Sequence, residues 1–114
     1  MNTILLTIAL TLSSSLSFAH GDHPPRVAPC ISKECTKEQV ETAVPMAVEL
    51  LTKTGKIESS WSSAKVEKVE KKDFKKSPEW VATLLDEKQP EGKKRRYIFI
   101  TTKGYLNGSN LTGE

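Results

Sequence analysis

Between residues 36 and 55 the apolar side chains repeat at the spacing of an α-helix. They lie three or four positions apart and so share one face: Val40, Val44, Ala47 and Leu51. The segment from Thr36 to Gln39 has the form of a capping box, in which Thr36 is the N-cap and Gln39 returns a hydrogen bond. Gly55 is suited to end the helix because glycine adopts a left-handed backbone at low cost. The pattern therefore predicts one helix between Thr36 and Gly55.

Pro45 interrupts this pattern. A proline inside a helix removes the hydrogen bond to the carbonyl four residues back, here Glu41, and costs about 3 kcal/mol. Because the apolar positions stay in phase on both sides of Pro45, we predict one kinked helix. The alternative is a helix that starts at Thr42 and carries Pro45 in its first turn.

Beyond the helix the apolar residues are spaced as in β-strands. Residues 64–74 are rich in Lys and Glu, and Val66 and Val69 fall on opposite phases, which predicts a bulged edge strand. Trp61, just before this strand, is predicted to anchor the core. Three more strands are expected at residues 78–85, at residues 95–102 and around Tyr105 and Leu106. The element order predicts an α+β fold in two layers, a single helix packed on a three- to four-stranded antiparallel sheet.

Both faces of the two central strands carry large apolar side chains, but one helix covers only one face of a sheet. On the strand at residues 78–85, Trp80 and Leu84 share one face. On the next strand, Tyr97 and Phe99 lie on one face, and Ile98 and Ile100 lie on the other. The face that the helix leaves is covered by the N-terminal arm, or it meets another surface. In the second case the contact residues are Tyr97 and Phe99, or Trp80 and Leu84.

The first 19 residues have the pattern of a signal peptide. They carry no charged side chain, residues 4–16 are mostly apolar, and Ser17 and Ala19 place small residues before a cut at Ala19/His20. The apolar run is shorter than the roughly 20 residues that a permanent membrane anchor needs. We therefore predict three segments and a periplasmic or secreted location: signal peptide 1–19, extended arm 20–35 and α+β domain 36–114. The alternative is a buried N-terminal helix of a cytosolic domain.

The segment that follows the predicted cut contains both histidines of the chain. Cleavage makes His20 the first residue, so that its amine and imidazole together bind one metal ion, with Asp22 and His23 as further ligands. Such a nitrogen-rich set favours copper, as Cu(II), or zinc, with Cu(II) ahead in the Irving–Williams order. The alternative is a solvated tail whose histidines bind nothing.

Cys30 and Cys35 are the only cysteines. In an oxidising compartment a pair at this spacing predicts a disulfide bond. The alternative is a pair of thiolate ligands for Cu(I) or Zn(II).

The charge pattern narrows the class of function. The formal net charge is +3, which is too small and too scattered for a nucleic-acid-binding stripe. The basic run 93–96 is expected to be a solvated loop edge, and the alternative is docking to an acidic partner or phospholipid. We also predict that the protein is not an enzyme, since no pattern of residues forms a catalytic set and both histidines lie in the arm.

Several short motifs in order resemble a family of small exported bacterial proteins of unknown function. They are Gly55-Lys56-Ile57 leading to Ser60-Trp61, Pro78-Glu79-Trp80-Val81, Tyr97-Ile98-Phe99, Gly104-Tyr105-Leu106 and Asn110-Leu111-Thr112-Gly113. Members begin, after the signal peptide, with a segment like the His-Gly-Asp-His of residues 20–23. The arrangement also resembles a PepSY-type module, which implies binding or inhibition of another exported protein.

Overall fold

In the computed structural model, which describes residues 24–30 and 33–114, the cap at Thr36 determines where the helix begins. Thr36 Oγ1 accepts a hydrogen bond from the Gln39 N–H at 3.2 Å, and the Gln39 side chain accepts one from the Thr36 N–H at 2.9 Å. Helix α1 then runs over Lys37–Lys53 without a break at Pro45, and Gly55 follows it with φ 74°. The predicted single helix is confirmed, and the alternative start at Thr42 is wrong.

Four strands form one antiparallel sheet in the order in which they occur in the chain. A short 3₁₀ helix, Ser59–Ser63, leads into it. The strands are β1 Lys65–Asp73, β2 Pro78–Leu85, β3 Arg95–Thr101 and β4 Leu106–Asn110. The α+β fold is confirmed, with four strands and the helix packed against one face.

The edge strand β1 contains the predicted bulge. Val66 pairs with Leu84 but Lys68 pairs with Thr83, so Glu67 is the extra residue on β1. Val69 consequently reaches the core, where it is 3% exposed. The bulge explains why the two valines are out of phase.

The main core lies between α1 and the sheet. Trp61, from the 3₁₀ helix, is 2% exposed and anchors this core, as predicted. The other contributors from the helix and the sheet include Val40, Val44, Ala47, Leu51, Trp80, Leu84, Ile98 and Ile100. Within the described ranges, no helix combines the length and the apolar character needed to cross a bilayer.

The described part of the arm packs into this same core. The Val27 N–H donates to Gly104 O at 2.8 Å, and Pro25 O accepts from the Leu106 N–H at 2.8 Å. Val27, Ala28 and Cys30 are buried with the helix-side residues. The packed part of the chain therefore begins before residue 36, and residues 24–30 do not cover the second face of the sheet.

That second face is covered by other parts of the chain. Val81 and Thr83 are 0% and 1% exposed at its centre. Phe74, from the β1–β2 hairpin, packs edge-on against Phe99 with ring centroids 5.9 Å apart. Gly113 lies over the Tyr97 ring so closely that a Cβ there would be 3.5 Å from it. Phe74 and the C-terminal residues thus cover a face that the sequence assigns either to the arm or to a contact with another surface.

Candidate functional site

The predicted metal ligands His20, Asp22 and His23 lie outside the described residues. The described part of the chain contains no histidine. Within residues 24–30 and 33–114, no group of three or more His, Cys, Asp or Glu side chains could hold a metal ion. A metal site built on imidazole in this protein therefore has to use the N-terminal segment.

The chain that follows this segment is fixed to the sheet. Besides the hydrogen bond at Pro25, the Arg26 Nη2 donates to Tyr105 Oη. The Arg26 guanidinium lies 4.8 Å from the centroid of the Tyr105 ring, a distance that allows a cation–π contact. His23 is thus two residues from a fixed point beside β4.

Cys30 and Cys35 form the disulfide bond that the sequence predicts, with Cα atoms 5.0 Å apart. Each cysteine is 5% exposed, and the Cys35 N–H donates to Thr102 O at 2.8 Å. Because the two sulfur atoms are bonded to each other, neither is a thiolate ligand here. The bond closes a short loop that ends at Cys35, the residue before the N-cap Thr36.

Tyr97 and Phe99, the predicted partner-binding residues, are brought together on the second face but are mostly covered. Phe99 is 8% exposed and Tyr97 is half-buried. The large apolar side chains that are exposed in the described ranges lie on separate elements: Met46, Val66 and Leu111. A groove of about 320 Å³ between Phe74, Phe99 and β4 stays open on this face.

Asp86 is the one acidic residue that is buried in the described part of the chain, and its side chain stabilises a loop. Asp86 accepts hydrogen bonds from the Lys88 N–H at 3.1 Å and from Gln89 Nε2 at 2.9 Å. The bonds from Gln89 and then from Lys88 lower the pKa of Asp86. Asp86 is therefore an ionised residue that orders the β2–β3 loop.

Two of the four residues in the basic run 93–96, Lys94 and Arg95, have ordinary surface partners. Lys94 Nζ lies 3.4 Å from a Glu87 oxygen. Arg95 is exposed and donates two hydrogen bonds to the Glu67 carboxylate, at 2.7 and 2.8 Å. These bonds lower the pKa of Glu67 and raise the pKa of Arg95. They also connect the β1 bulge to β3.

Arg96 has a different environment from its neighbour. Its guanidinium is half-buried, lies 5.2 Å from the centroid of the Trp61 ring and donates from Nη1 to Ser109 Oγ at 2.9 Å. Its Nε is buried and has no acceptor in the described structure. Sequence reasoning missed this residue, although Arg96 alternates in phase with Ile98 and Ile100 and is thereby placed on the helix side.

Fold and site together define a small α+β domain with a buried disulfide, in which residues 25–28 are fixed to the sheet. The chain belongs to a family of unknown function, DUF6488, whose model matches residues 1–114. No curated protein and no solved structure matches it. The predicted membership of a small family of unknown function is confirmed at that level, while export and PepSY-like architecture stay predictions.

Proposed function

We propose that this protein is a non-enzymatic binding protein of the periplasm or the surrounding medium that holds a Cu(II) or Zn(II) ion through His20, Asp22 and His23. One observation carries the proposal. Both histidines of the chain lie within four residues, directly after the predicted signal peptide cut. After cleavage that segment supplies an amine, two imidazoles and a carboxylate, a donor set on which Cu(II) is favoured over Zn(II).

The disulfide supports the location. Structural disulfides persist in oxidising compartments and are rare in the cytosol. The bond between Cys30 and Cys35 also takes the chain's thiols out of competition for the metal. A site of nitrogen and oxygen ligands then has no thiolate nearby that competes with it for the metal ion.

The anchor at Pro25 supports a metal site that stays with the domain. Pro25 lies five positions after His20, and an extended chain spans at most about 3.5 Å per position. The bound metal therefore stays within about 18 Å of the β4 edge. A partner that takes the metal would meet this edge of the sheet.

Calorimetric titration with Cu(II) and Zn(II) tests the proposal on a chain that begins at His20. We expect one ion per chain and tighter binding of Cu(II). The double substitution His20→Ala and His23→Ala should weaken Cu(II) binding by roughly tenfold or more, the loss of about 1.4 kcal/mol. Equal affinities of this variant and the parent chain would refute the metal site.

Two controls make the titration specific. A chain that begins at Ala19 keeps both imidazoles but moves the amine away from His20, so its Cu(II) affinity should be lower. The double substitution Cys30→Ala and Cys35→Ala should leave the affinity unchanged, because the oxidised sulfur atoms are not ligands. The intact mass of protein recovered from outside the cytoplasm tests the cut itself, and a full-length chain would contradict it.

An interaction module that binds another exported protein is the alternative function, and it has less support. That function needs a contiguous exposed apolar face, but Phe99 is 8% exposed and Trp80 and Leu84 are buried. The groove beside Phe74 is the part of the second face that such a partner could still reach.

A further inference from the structure

Arg96 forms no direct ion pair in the described structure, although the Glu58 carboxylate is near enough for its charge to act on it. No described carboxylate lies within 4.0 Å of it, whereas the adjacent Arg95 forms a two-point ion pair with Glu67. Arg96 is nonetheless the more buried of the two. Removing a cation from water without a partner is unfavourable, so this position needs a reason other than solubility.

The surrounding residues hold the Arg96 guanidinium in one place. One side faces the Trp61 ring, which is itself 2% exposed and fixed in the core. Nη1 is held by Ser109 Oγ on β4. One Nη1 donor is used by Ser109 and the Nε–H is buried, so a ligand would have to use the remaining N–H groups of Nη1 and Nη2. A planar donor group held in this way is preorganised to bind an oxyanion.

An open cleft of about 570 Å³ lies beside this guanidinium, between the end of α1 and the 3₁₀ helix. The residues that line it with Arg96 are Thr52, Gly55, Lys56, Ile57, Glu58 and Ser59. Two cations and one carboxylate leave the cleft with a net positive charge. Desolvation lowers the pKa of Arg96, and the Glu58 charge partly opposes this, but an arginine stays protonated in proteins.

We infer that this cleft binds the carboxylate or phosphate group of a small organic anion, with Arg96 as the principal ligand and Lys56 as the second cation. The hydroxyls of Thr52 and Ser59 are further donors in the same cleft. Arg95 takes no part, because its donors are used by Glu67. The inference does not rest on the metal site proposed above, which uses other residues and another ligand class.

Titration of ¹⁵N-labelled protein followed by NMR tests the site, with inorganic phosphate and succinate as separate probes. Sodium chloride at matched ionic strength is the reference. We expect saturable shifts of the amide signals of residues 55–59 and of the Arg96 Nε–H with at least one probe. Saturation by phosphate alone or by succinate alone assigns the class of oxyanion. Shifts that equal those in chloride, or that centre on residues 93–95, would overturn the inference.

Two substitutions and a control assign the ligands. Arg96→Gln should weaken binding of the effective probe by roughly tenfold or more, as expected for loss of a charged hydrogen-bond donor. Lys56→Gln changes an exposed side chain, so the fold is retained, and it should weaken binding by a smaller factor. Arg95→Gln removes the same charge one residue away and should leave binding unchanged. Equal weakening in Arg95→Gln and Lys56→Gln would show a general charge effect and contradict a site.

Discussion

Gly104 shows how one residue joins the arm to the sheet. Its carbonyl accepts hydrogen bonds from the N–H groups of Val27 and Ala28, at 2.8 and 3.1 Å. Its φ is +96°, and a Cβ would lie 2.6 Å from Ala28 O and 3.0 Å from Cys30 Sγ. Glycine is therefore required twice, for the turn and for the close approach of the arm.

We predict that Gly104→Ala lowers the free energy of unfolding by more than roughly 2 kcal/mol, since a strained backbone and a steric clash add together. Urea denaturation measures this. Gly92→Ala is the matched control, because Gly92 has φ +84° and a Cβ at that position would have no atom within 4 Å. That substitution should cost about 1 kcal/mol, for the backbone alone. Similar losses in the two variants would show that the contact with the arm contributes nothing.

Because side chains alternate along β3, the sequence alone already places Arg96 and Arg95 on opposite faces of the sheet. As a cluster of four basic residues, the run 93–96 predicts one solvated edge, but residues 95 and 96 belong to a strand and point to opposite faces. The environment of Arg96 could not be predicted in the same way. It depends on Trp61 and Ser109, which are far from it in sequence and approach it only through the fold.

At the scale of elements, local signals are the reliable ones. The capping box predicts the start of α1, and the out-of-phase valines locate the bulge in β1. The last strand is less visible. The sequence predicts it around Tyr105 and Leu106, but β4 runs over Leu106–Asn110. Its Asn, Gly and Ser residues have low strand propensity, so pairing with β3 determines their conformation.

Pro45 is the element-scale feature with the clearest energetic consequence. It lies exposed in the middle of α1 and leaves the Glu41 carbonyl without its helical donor. We predict that Pro45→Ala raises the free energy of unfolding, by up to about 3 kcal/mol, because alanine restores that hydrogen bond. Thermal unfolding measures the change. Met46→Ala, at the adjacent exposed position, should shift stability by less than about 0.5 kcal/mol. A Pro45→Ala protein no more stable than the parent would show that proline fits this helix without cost.

At the scale of the whole molecule, the sequence raises the right question about the sheet but does not answer it. The alternation of side chains along the central strands shows that both faces of the sheet are apolar. Because a single helix covers only one of these faces, the other must be covered by another part of the molecule. The cover comes from Phe74 and from the C-terminal residues around Gly113, which lie far apart along the chain. Asn110 Oδ1 holds that C-terminal turn by accepting from the Gly113 N–H at 2.8 Å. Such long-range packing leaves no periodic signal in the sequence.

The Cys30–Cys35 bond closes a loop at the end of the arm, in the core beside the cap of α1, so its loss should lower the stability of the whole molecule. Closing so short a loop stabilises the native state by about 2 kcal/mol through the lower entropy of the unfolded chain. We predict that reduced wild-type protein unfolds at a lower urea concentration than oxidised protein, with a difference of about 2 kcal/mol in the free energy of unfolding. Reduction keeps both buried sulfur atoms, so this comparison isolates the bond from the packing. The double substitution Cys30→Ala and Cys35→Ala removes the sulfur atoms as well and should cost more, because both residues are 5% exposed and belong to the core. Identical urea midpoints for the oxidised and reduced proteins would mean that hydrogen bonds such as that from Val27 to Gly104 hold the arm without the cross-link.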